Sequence, residues 1–198
     1  MRIHLIRHGE VHNPDHLVYA NLPGFALSER GRHQAAAMAD RLADVNLAAI
    51  VSSPLERAVA TAFALATSSG AAVSTDERLT EWELGARWAG VQWEALPEVF
   101  PGELAAYLDH PDDLGFSPES LNDMAHRIAA AVCDWAQHRR GNDVAFVSHQ
   151  DPIHGAIRLL TGTGFADYHR GKPEHCSVST LASDGGLWRM TKYWAPEQ

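Results

Sequence analysis

The hydrophobic positions of this chain form short continuous runs that alternate with longer periodic stretches. Three runs are prominent, at Ile3–Ile6, Ala48–Ser52 and Asp143–Ser148, and each stops abruptly at polar residues or a proline. Apolar runs of this length are typical of strands that are buried on both faces of a parallel sheet. We therefore expect these three runs to be the central strands of the fold.

The stretches between the runs carry apolar residues at three- and four-residue steps, as on the buried face of a helix. Ser28 is suited to cap the first helix, and Ser120 with Asp123 resembles a capping box before a long helix that ends near Gly141. Asp151-Pro152 is suited to be the N-cap and first position of another helix. The predicted buried stripes are Ala35, Met38, Leu42 and Val45, then Leu55, Val59, Ala62, Phe63 and Ala66, and finally Leu121, Ala125, Ile128, Val132 and Trp135.

The remaining apolar segments complete a predicted α/β fold. Residues 71–74 suit a short strand, and residues 177–182 and 187–194 suit a closing hairpin. Alternating strands and helices predict a three-layer α/β/α sandwich with a mainly parallel sheet and an antiparallel edge from the hairpin. Residues 79–120 are rich in aromatic residues and prolines and predict an irregular insertion, which either walls a pocket or packs as a satellite core.

Length, charge and cysteine content narrow the class of protein. The 198 residues suit a single domain, 1–198, with residues 79–120 as an embedded cap. A formal net charge of −9 argues against nucleic acid and against membranes as partners. Cys133 and Cys176 lie far apart in apolar patterns, so we expect free buried thiols and a cytoplasmic location. The first residues do not resemble a signal peptide, and no stretch approaches the ~20 apolar residues of a membrane span.

Basic side chains lie where the predicted strands end. Arg7 and His8 close the first run, Arg57 comes shortly after the second, and His149 follows the third. The carboxyl ends of parallel strands meet at one edge of a sheet, where α/β proteins bind ligands. Arginine is a bidentate donor to phosphate, and histidine is a nitrogen nucleophile near neutral pH. Together these residues predict a site for a phosphate group.

Four motifs occur in a recognisable order: Arg7-His8-Gly9-Glu10, Leu27-Ser28-Glu29-Arg30-Gly31, Ser52-Ser53-Pro54-Leu55-Glu56-Arg57-Ala58 and Val147-Ser148-His149. In this order the chain resembles the histidine phosphatase superfamily, the phosphoglycerate mutase-like proteins. The resemblance runs from Ile3 to about Trp194. It implies a phosphoglycerate mutase-like fold and a phosphate-transfer activity.

The resemblance also implies the roles of individual residues. By it, His8 is the nucleophile that accepts the phosphoryl group, and Arg7, Arg57 and His149 bind the phosphate as part of the catalytic pocket. Glu81 matches the acidic residue that serves as proton donor. The implied intermediate is a phosphohistidine on His8.

Three positions depart from the common family pattern. Asn13, which the resemblance implies as a substrate contact, lies one residue nearer the nucleophile than usual. Gln150-Asp151-Pro152 replaces a frequent Gly-Gly, which adds bulk and a carboxylate and removes one backbone N–H near the anion. Pro118 stands where a glycine is usual.

The predicted chemistry requires two shifted pKa values. His8 must be neutral to attack phosphorus, and we expect Arg7 and Arg57 to lower the pKa of its imidazole. Glu81 must hold a proton for the leaving oxygen, and we expect burial among tryptophans to raise the pKa of its carboxyl group.

These inferences favour a metal-independent phosphomonoester hydrolase that acts on a small phosphorylated metabolite and needs no cofactor. Two alternatives remain: a mutase-type phosphotransferase, which requires a water-excluding pocket, and a non-catalytic phosphate-binding regulatory module. Four histidines near the N-terminus recur at four-residue steps, as metal ligands on a helix would, but Gly9 and Pro14 argue against that helix. The sequence leaves a homodimer open and does not identify the substrate.

Overall fold

The computed structural model describes residues 1–138, 142–183 and 187–197. Within these ranges six strands form one sheet: β1 (Arg2–Arg7), β2 (Leu47–Ser52), β3 (Val73–Thr75), β4 (Asp143–Ser148), β5 (Val178–Ala182) and β6 (Arg189–Trp194). Their order is β3-β2-β4-β1-β5-β6. Strands β1 to β4 pair in parallel, whereas β5 pairs antiparallel with both β1 and β6. The predicted parallel sheet with an antiparallel edge is confirmed, and the predicted turn at residues 184–186 lies outside the described residues.

The described helices are α1 (Glu29–Arg41), α2 (Glu56–Ser69), α3 (Leu84–Trp88), α4 (Leu96–Val99), α5 (Glu103–Asp109), α6 (Leu121–His138) and α7 (Gln150–Leu160). Ser28 Oγ accepts the Gly31 N–H at 2.9 Å, and Ser120 Oγ accepts the Asp123 N–H at 3.0 Å, so both predicted caps are confirmed. The predicted end of α6 near Gly141 lies outside the described residues. Within those residues no helix is long and apolar enough to cross a membrane.

The start of α7 corrects one prediction. His149 is the N-cap, with φ −117° and ψ 173°, and Gln150 is the first helical residue. Asp151 is therefore not the cap, because β4 ends at Ser148 and the chain enters the helix almost at once. The Asp151 carboxylate lies instead in the first turn of α7, where the helix dipole favours negative charge.

The sheet separates two apolar cores, which gives the predicted three layers. Ile3 and Leu5 of β1 pack with α6 and α7 on one face, and Ile6 packs with α1 and α2 on the other. The predicted burial of Phe63 in α2 is wrong, since this residue is 57% exposed. Ala62 is buried as predicted, but Phe63 points about 100° further around the helix, and Leu65 is the large apolar residue of α2 that is buried.

A third apolar cluster lies over the carboxyl edge of the sheet and includes much of the aromatic segment 79–120. Backbone hydrogen bonds join the loop after β1 to this segment, and each of the two segments donates one of them. Val18 N–H donates to the Val91 carbonyl at 2.8 Å, and Gly90 N–H donates to the Val18 carbonyl at 2.9 Å. The two segments therefore form a continuous wall beside the strand ends.

The turn after β1 is packed tightly against the start of α1. Ser28 Oγ donates to Glu10 Oε1 at 2.7 Å, and the Ser28 N–H donates to the Glu10 carbonyl at 2.9 Å. A Cβ atom on Gly31 would overlap that carbonyl oxygen, and one on Gly9 would lie 2.6 Å from the Gly31 carbonyl oxygen. This close approach of two backbone segments fixes the turn that follows His8.

Candidate active site

His8 lies at the end of β1 and is almost completely buried. Its Nδ1 lies 2.7 Å from the Gly9 carbonyl oxygen. A carbonyl only accepts, so Nδ1 carries the proton and Nε2 holds the lone pair. Arg57 Nε donates to that Nε2 at 3.2 Å. The strand end therefore fixes a neutral imidazole with its unprotonated nitrogen beside a guanidinium.

The pKa of His8 is lowered well below its usual range, as predicted, but the main cause differs. Burial is the largest effect, followed by the charges of His149, Arg57 and Arg7. A buried imidazole loses the hydration that would stabilise its charged form. The fold itself therefore keeps His8 neutral, and the arginines add to this effect.

Arg57 lies in the first turn of α2 and is 1% exposed. Its Nη2 donates to the Ala20 carbonyl at 2.7 Å, and its guanidinium carbon lies 4.8 Å from the centre of the Tyr19 ring. A cation at a helix start opposes the helix dipole, so these contacts hold the side chain against a local preference. Tyr19 belongs to the site and was not predicted, because nothing in its loop gives a periodic signal.

Arg7 points to the same edge from the end of β1. Its Nη1 donates to the Pro173 carbonyl at 2.9 Å, and its Nη2 donates to His175 Nε2 at 2.8 Å. Its Nε is buried and has no hydrogen-bond partner among the described residues.

His175 is a second site residue that the sequence reasoning missed. Its ring centre lies 5.8 Å from that of His8, and burial together with Arg7 lowers its pKa to about 3. His175 precedes β5, and β5 runs antiparallel to β1, so the amino end of β5 lies at the edge where β1 ends. Its position just before the first strand of the predicted hairpin could have indicated that His175 lies at the site.

His149 meets His8 from the end of β4. The two ring centres are 5.1 Å apart, and His149 Nε2 shares a hydrogen bond of 2.9 Å with Ser53 Oγ. His149 Nδ1 is buried without a hydrogen-bond partner among the described residues, and lies 3.8 Å from Glu81 Oε2. Burial, followed by Arg57 and Arg7, lowers the pKa of His149 well below its usual range.

Glu81 faces this cluster from the aromatic segment. Burial raises the pKa of its carboxyl group, and the charge of Asp151 raises it further, against smaller opposite effects of the arginines. Arg127 of α6 holds the backbone here, since its Nη1 donates to the Arg78 carbonyl at 2.8 Å and to the Thr80 carbonyl at 3.2 Å. The sequence reasoning found Glu81 but not the arginine that supports its segment.

The side chain of Asn13 forms hydrogen bonds within the loop after β1. Its amide donates to the Leu17 carbonyl at 2.9 Å and accepts the Leu17 N–H at 3.0 Å. Both ends of the amide are thus engaged within the loop. The role of Asn13 as a substrate contact stays a prediction.

A cavity of about 200 Å³ opens beside Glu81. Its walls come from the loop after β1, the aromatic segment and the start of α7. The lining residues are Leu17, Val18, Tyr19, Ala20, Glu81, Trp82, Leu84, Gly85, Trp88, Trp93, Tyr107 and Asp151. Since Glu81 and Tyr19 also border the histidine and arginine cluster, the cavity adjoins it directly.

In the described ranges, no three His, Cys, Asp or Glu side chains are grouped so that they could hold a metal ion. Cys133 and Cys176 are both free, as predicted, but Cys133 is only half-buried.

A family model of the histidine phosphatase superfamily, branch 1, matches residues 3–195. The chain belongs to this superfamily. It is 33% identical to glucosyl-3-phosphoglycerate phosphatase of Mycolicibacterium vanbaalenii, over 81% of this chain and 74% of the relative. It is 27% identical to phosphoserine phosphatase 1 of Hydrogenobacter thermophilus, over 91% and 86% of the two chains.

A solved structure supports the same conclusion. The mycobacterial glucosyl-3-phosphoglycerate phosphatase Rv2419c, solved with VO3, matches with a TM-score of 0.85 and 29% identity over 99% of each chain. The predicted phosphoglycerate mutase-like fold is confirmed, and the protein is an enzyme of the histidine phosphatase superfamily.

Proposed function

We propose that the protein hydrolyses phosphomonoesters of small molecules through a phosphohistidine on His8. One observation carries the proposal: the bond from Nδ1 of His8 to the Gly9 carbonyl leaves a neutral imidazole whose unprotonated Nε2 keeps its lone pair, which accepts a hydrogen bond from Arg57 Nε. A nucleophile needs such a lone pair at the pH of the reaction. Its position beside Arg57 and Arg7 suits attack on a bound phosphate.

Unused donors around His8 support phosphate binding. Arg7 Nε and His149 Nδ1 are buried without hydrogen-bond partners among the described residues. Leaving buried polar atoms unpaired costs free energy, so an oxyanion that reached them would be bound favourably. Phosphoryl transfer spreads negative charge over the equatorial oxygens, and donors fixed in advance stabilise that charge.

The proposed reaction has two steps. First, the bond between His8 Nε2 and phosphorus forms while the bond from phosphorus to the leaving oxygen breaks, and that oxygen takes a proton from Glu81. Second, water attacks phosphorus, Glu81 takes the proton of that water, and the bond to His8 breaks to release phosphate. The raised pKa of Glu81 suits both roles.

The relatives support hydrolysis, since those reported above are named as phosphatases. No observation in this chain favours the mutase alternative or the regulatory module. The proposal includes a cytoplasmic location, which two free thiols support, and a small phosphorylated substrate rather than nucleic acid or a membrane. A homodimer stays a prediction, and the proposed chemistry uses no metal or cofactor.

The proposal is tested by phosphate release from sugar phosphates, phosphoglycerates, nucleotides and aryl phosphates in excess chelator. We expect the wild-type protein to hydrolyse at least part of this panel and vanadate to inhibit it. His8→Ala should lose about a thousandfold or more in kcat, while His33→Ala, at an exposed position of α1, keeps wild-type rates. Near-normal turnover in His8→Ala, or activity that returns only with added zinc or manganese, would contradict the proposal.

A further inference from the structure

The cavity beside Glu81 ends at an ion pair, whose carboxylate also raises the pKa of Glu81. Lys172 Nζ lies 2.6 Å from Asp151 Oδ1 and donates to the Tyr107 hydroxyl at 2.6 Å. The Tyr107 hydroxyl donates in turn to Asp151 Oδ2 at 3.3 Å. The Lys172 and Asp151 side chains are only 13% and 17% exposed, so the pair is largely shielded from solvent.

The lining of this cavity offers no cation that is free to pair with a ligand. Two carboxyl groups line it, those of Glu81 and Asp151, and none of its described lining residues is Lys, Arg or His. The nearby ammonium of Lys172 is already paired with Asp151 and lies 5.0 Å from the centre of the Tyr107 ring. A carboxylate on a ligand would therefore lose its hydration in this cavity without gaining a cationic partner from the lining.

The other walls of the cavity are aromatic. The ring of Trp88 lies edge-on to that of Tyr107, with centres 5.7 Å apart, and the Trp93 ring lies 6.3 Å from both. Such surfaces contribute large apolar contact areas and pack well against another ring. The cavity thus offers dispersion and apolar burial rather than charge pairing.

We infer that the Asp151–Lys172 pair makes this enzyme select leaving groups that are uncharged and carry a ring, and reject leaving groups that carry a carboxylate. The inference rests on the proposed function, because it places the leaving group beside Glu81. Phosphoserine and glucosyl-3-phosphoglycerate, which appear in the names of two relatives, both carry a carboxylate. Asp151 lies in the segment that departs from the common Gly-Gly pattern.

The inference is tested with benzyl phosphate and 4-carboxybenzyl phosphate, which differ only in the carboxylate. We expect wild-type kcat/KM to favour benzyl phosphate by about tenfold or more, since burying a carboxylate without a cationic partner is costly. Asp151→Asn frees the Lys172 ammonium and should move this ratio about tenfold towards the carboxylated ester. Lys172→Gln leaves the Asp151 charge uncompensated and should move the ratio the other way.

Opposite shifts separate charge selection from structural damage, which would slow both esters together. Asp109→Asn is the matched control, because it removes an exposed carboxylate from α5 and should leave the ratio unchanged. A wild-type enzyme that prefers the carboxylated ester or treats both alike would overturn the inference. Shifts of the two variants in the same direction would do so as well.

Binding separates this inference from the proposed function. Benzylphosphonate and 4-carboxybenzylphosphonate are not cleaved, and calorimetry reports their affinities whether or not the protein turns over. If no ester is hydrolysed but the phosphonates are discriminated by about tenfold, the proposed function fails and the selectivity of the cavity stands. If esters are hydrolysed without discrimination, the function stands and the selectivity fails.

Discussion

Glu81 illustrates how the fold changes the acidity of one residue from what its type alone gives. Its carboxyl group is largely shielded from solvent near Asp151, and both features raise its pKa. A glutamate in a solvated turn would be ionised at neutral pH and would have no proton to give. The surroundings of Glu81 are thus those that a general acid requires.

Replacement of Glu81 tests this role through the leaving group. Glu81→Gln should slow hydrolysis of alkyl phosphates by about 10²–10⁴-fold, because an alkoxide needs a proton as it departs. Hydrolysis of 4-nitrophenyl phosphate should slow far less in the first step, which burst kinetics can isolate. Glu83→Gln, two residues along and exposed, is the matched control. Equal slowing of both esters in that step would contradict the proton-donor role.

Three of the site residues that sequence reasoning found share one property. Arg7 is the last residue of β1, and His8 and His149 directly follow β1 and β4, so hydrophobic pattern and topology alone place these residues at one edge. Tyr19 and His175 reach the same site from loops, whose paths depend on tertiary packing. Asn13 lies one residue away from the usual family position, and its amide is engaged by its own loop.

At the scale of elements, the junction between the turn after β1 and the start of α1 couples stability to the site. Gly31→Ala should lower stability by about 1–3 kcal/mol, because its Cβ would overlap the Glu10 carbonyl oxygen. For a chain of this size that corresponds to a loss of about 2–10 °C in melting temperature. The displaced turn follows His8, so we also expect kcat to fall.

Gly115→Ala provides the control for this prediction, since a Cβ there meets no atom within 4 Å. Thermal unfolding followed by circular dichroism measures both variants. If Gly31→Ala has the same melting temperature as Gly115→Ala and keeps full activity, the junction does not constrain the turn.

The elements themselves were predictable to different degrees. The central strands and helices α1, α2 and α6 have continuous runs or clear stripes, and their existence was predicted. Helices α3, α4 and α5 are between four and seven residues long and were not predicted. Elements this short gain most of their stability from the aromatic cluster around them rather than from a repeating pattern.

At the scale of the whole molecule, the fold buries several histidines in their neutral form. The pKa is lowered, chiefly by burial, in His4, His8, His149, His154 and His175. In the unfolded chain these residues return to a pKa of about 6.5. Below that pH the unfolded state therefore binds more protons than the native state. The free energy of unfolding is then largest above about pH 6.5 and decreases as the pH falls.

This linkage predicts a steep loss of stability between pH 7 and pH 5. The native pKa is about 4 for His154 and about 3 for His175. At pH 5 a histidine that is neutral in the native state but protonated in the unfolded chain lowers the free energy of unfolding by about 2 kcal/mol. Protonation of Glu81, whose native pKa is raised, opposes this trend.

Urea unfolding at a series of pH values measures the effect. The free energy of unfolding should fall continuously from pH 7 to pH 5. In His154→Gln the free energy of unfolding should depend less steeply on pH, because unfolding of this variant takes up about one proton fewer near pH 5. A free energy of unfolding that is constant over this range would mean that the buried histidines are not held neutral by the fold.

The central claim is that Nε2 of His8 carries the phosphoryl group during turnover, and trapping the intermediate tests it most directly. Wild-type protein is mixed with ³²P-labelled benzyl phosphate, or with whichever ester the panel identifies, and quenched within milliseconds in alkali. We predict protein-bound label that is stable to base, labile to acid and located on the His8 peptide, present in His33→Ala and absent from His8→Ala. Label that is acid-stable, or that persists in His8→Ala, would contradict the account.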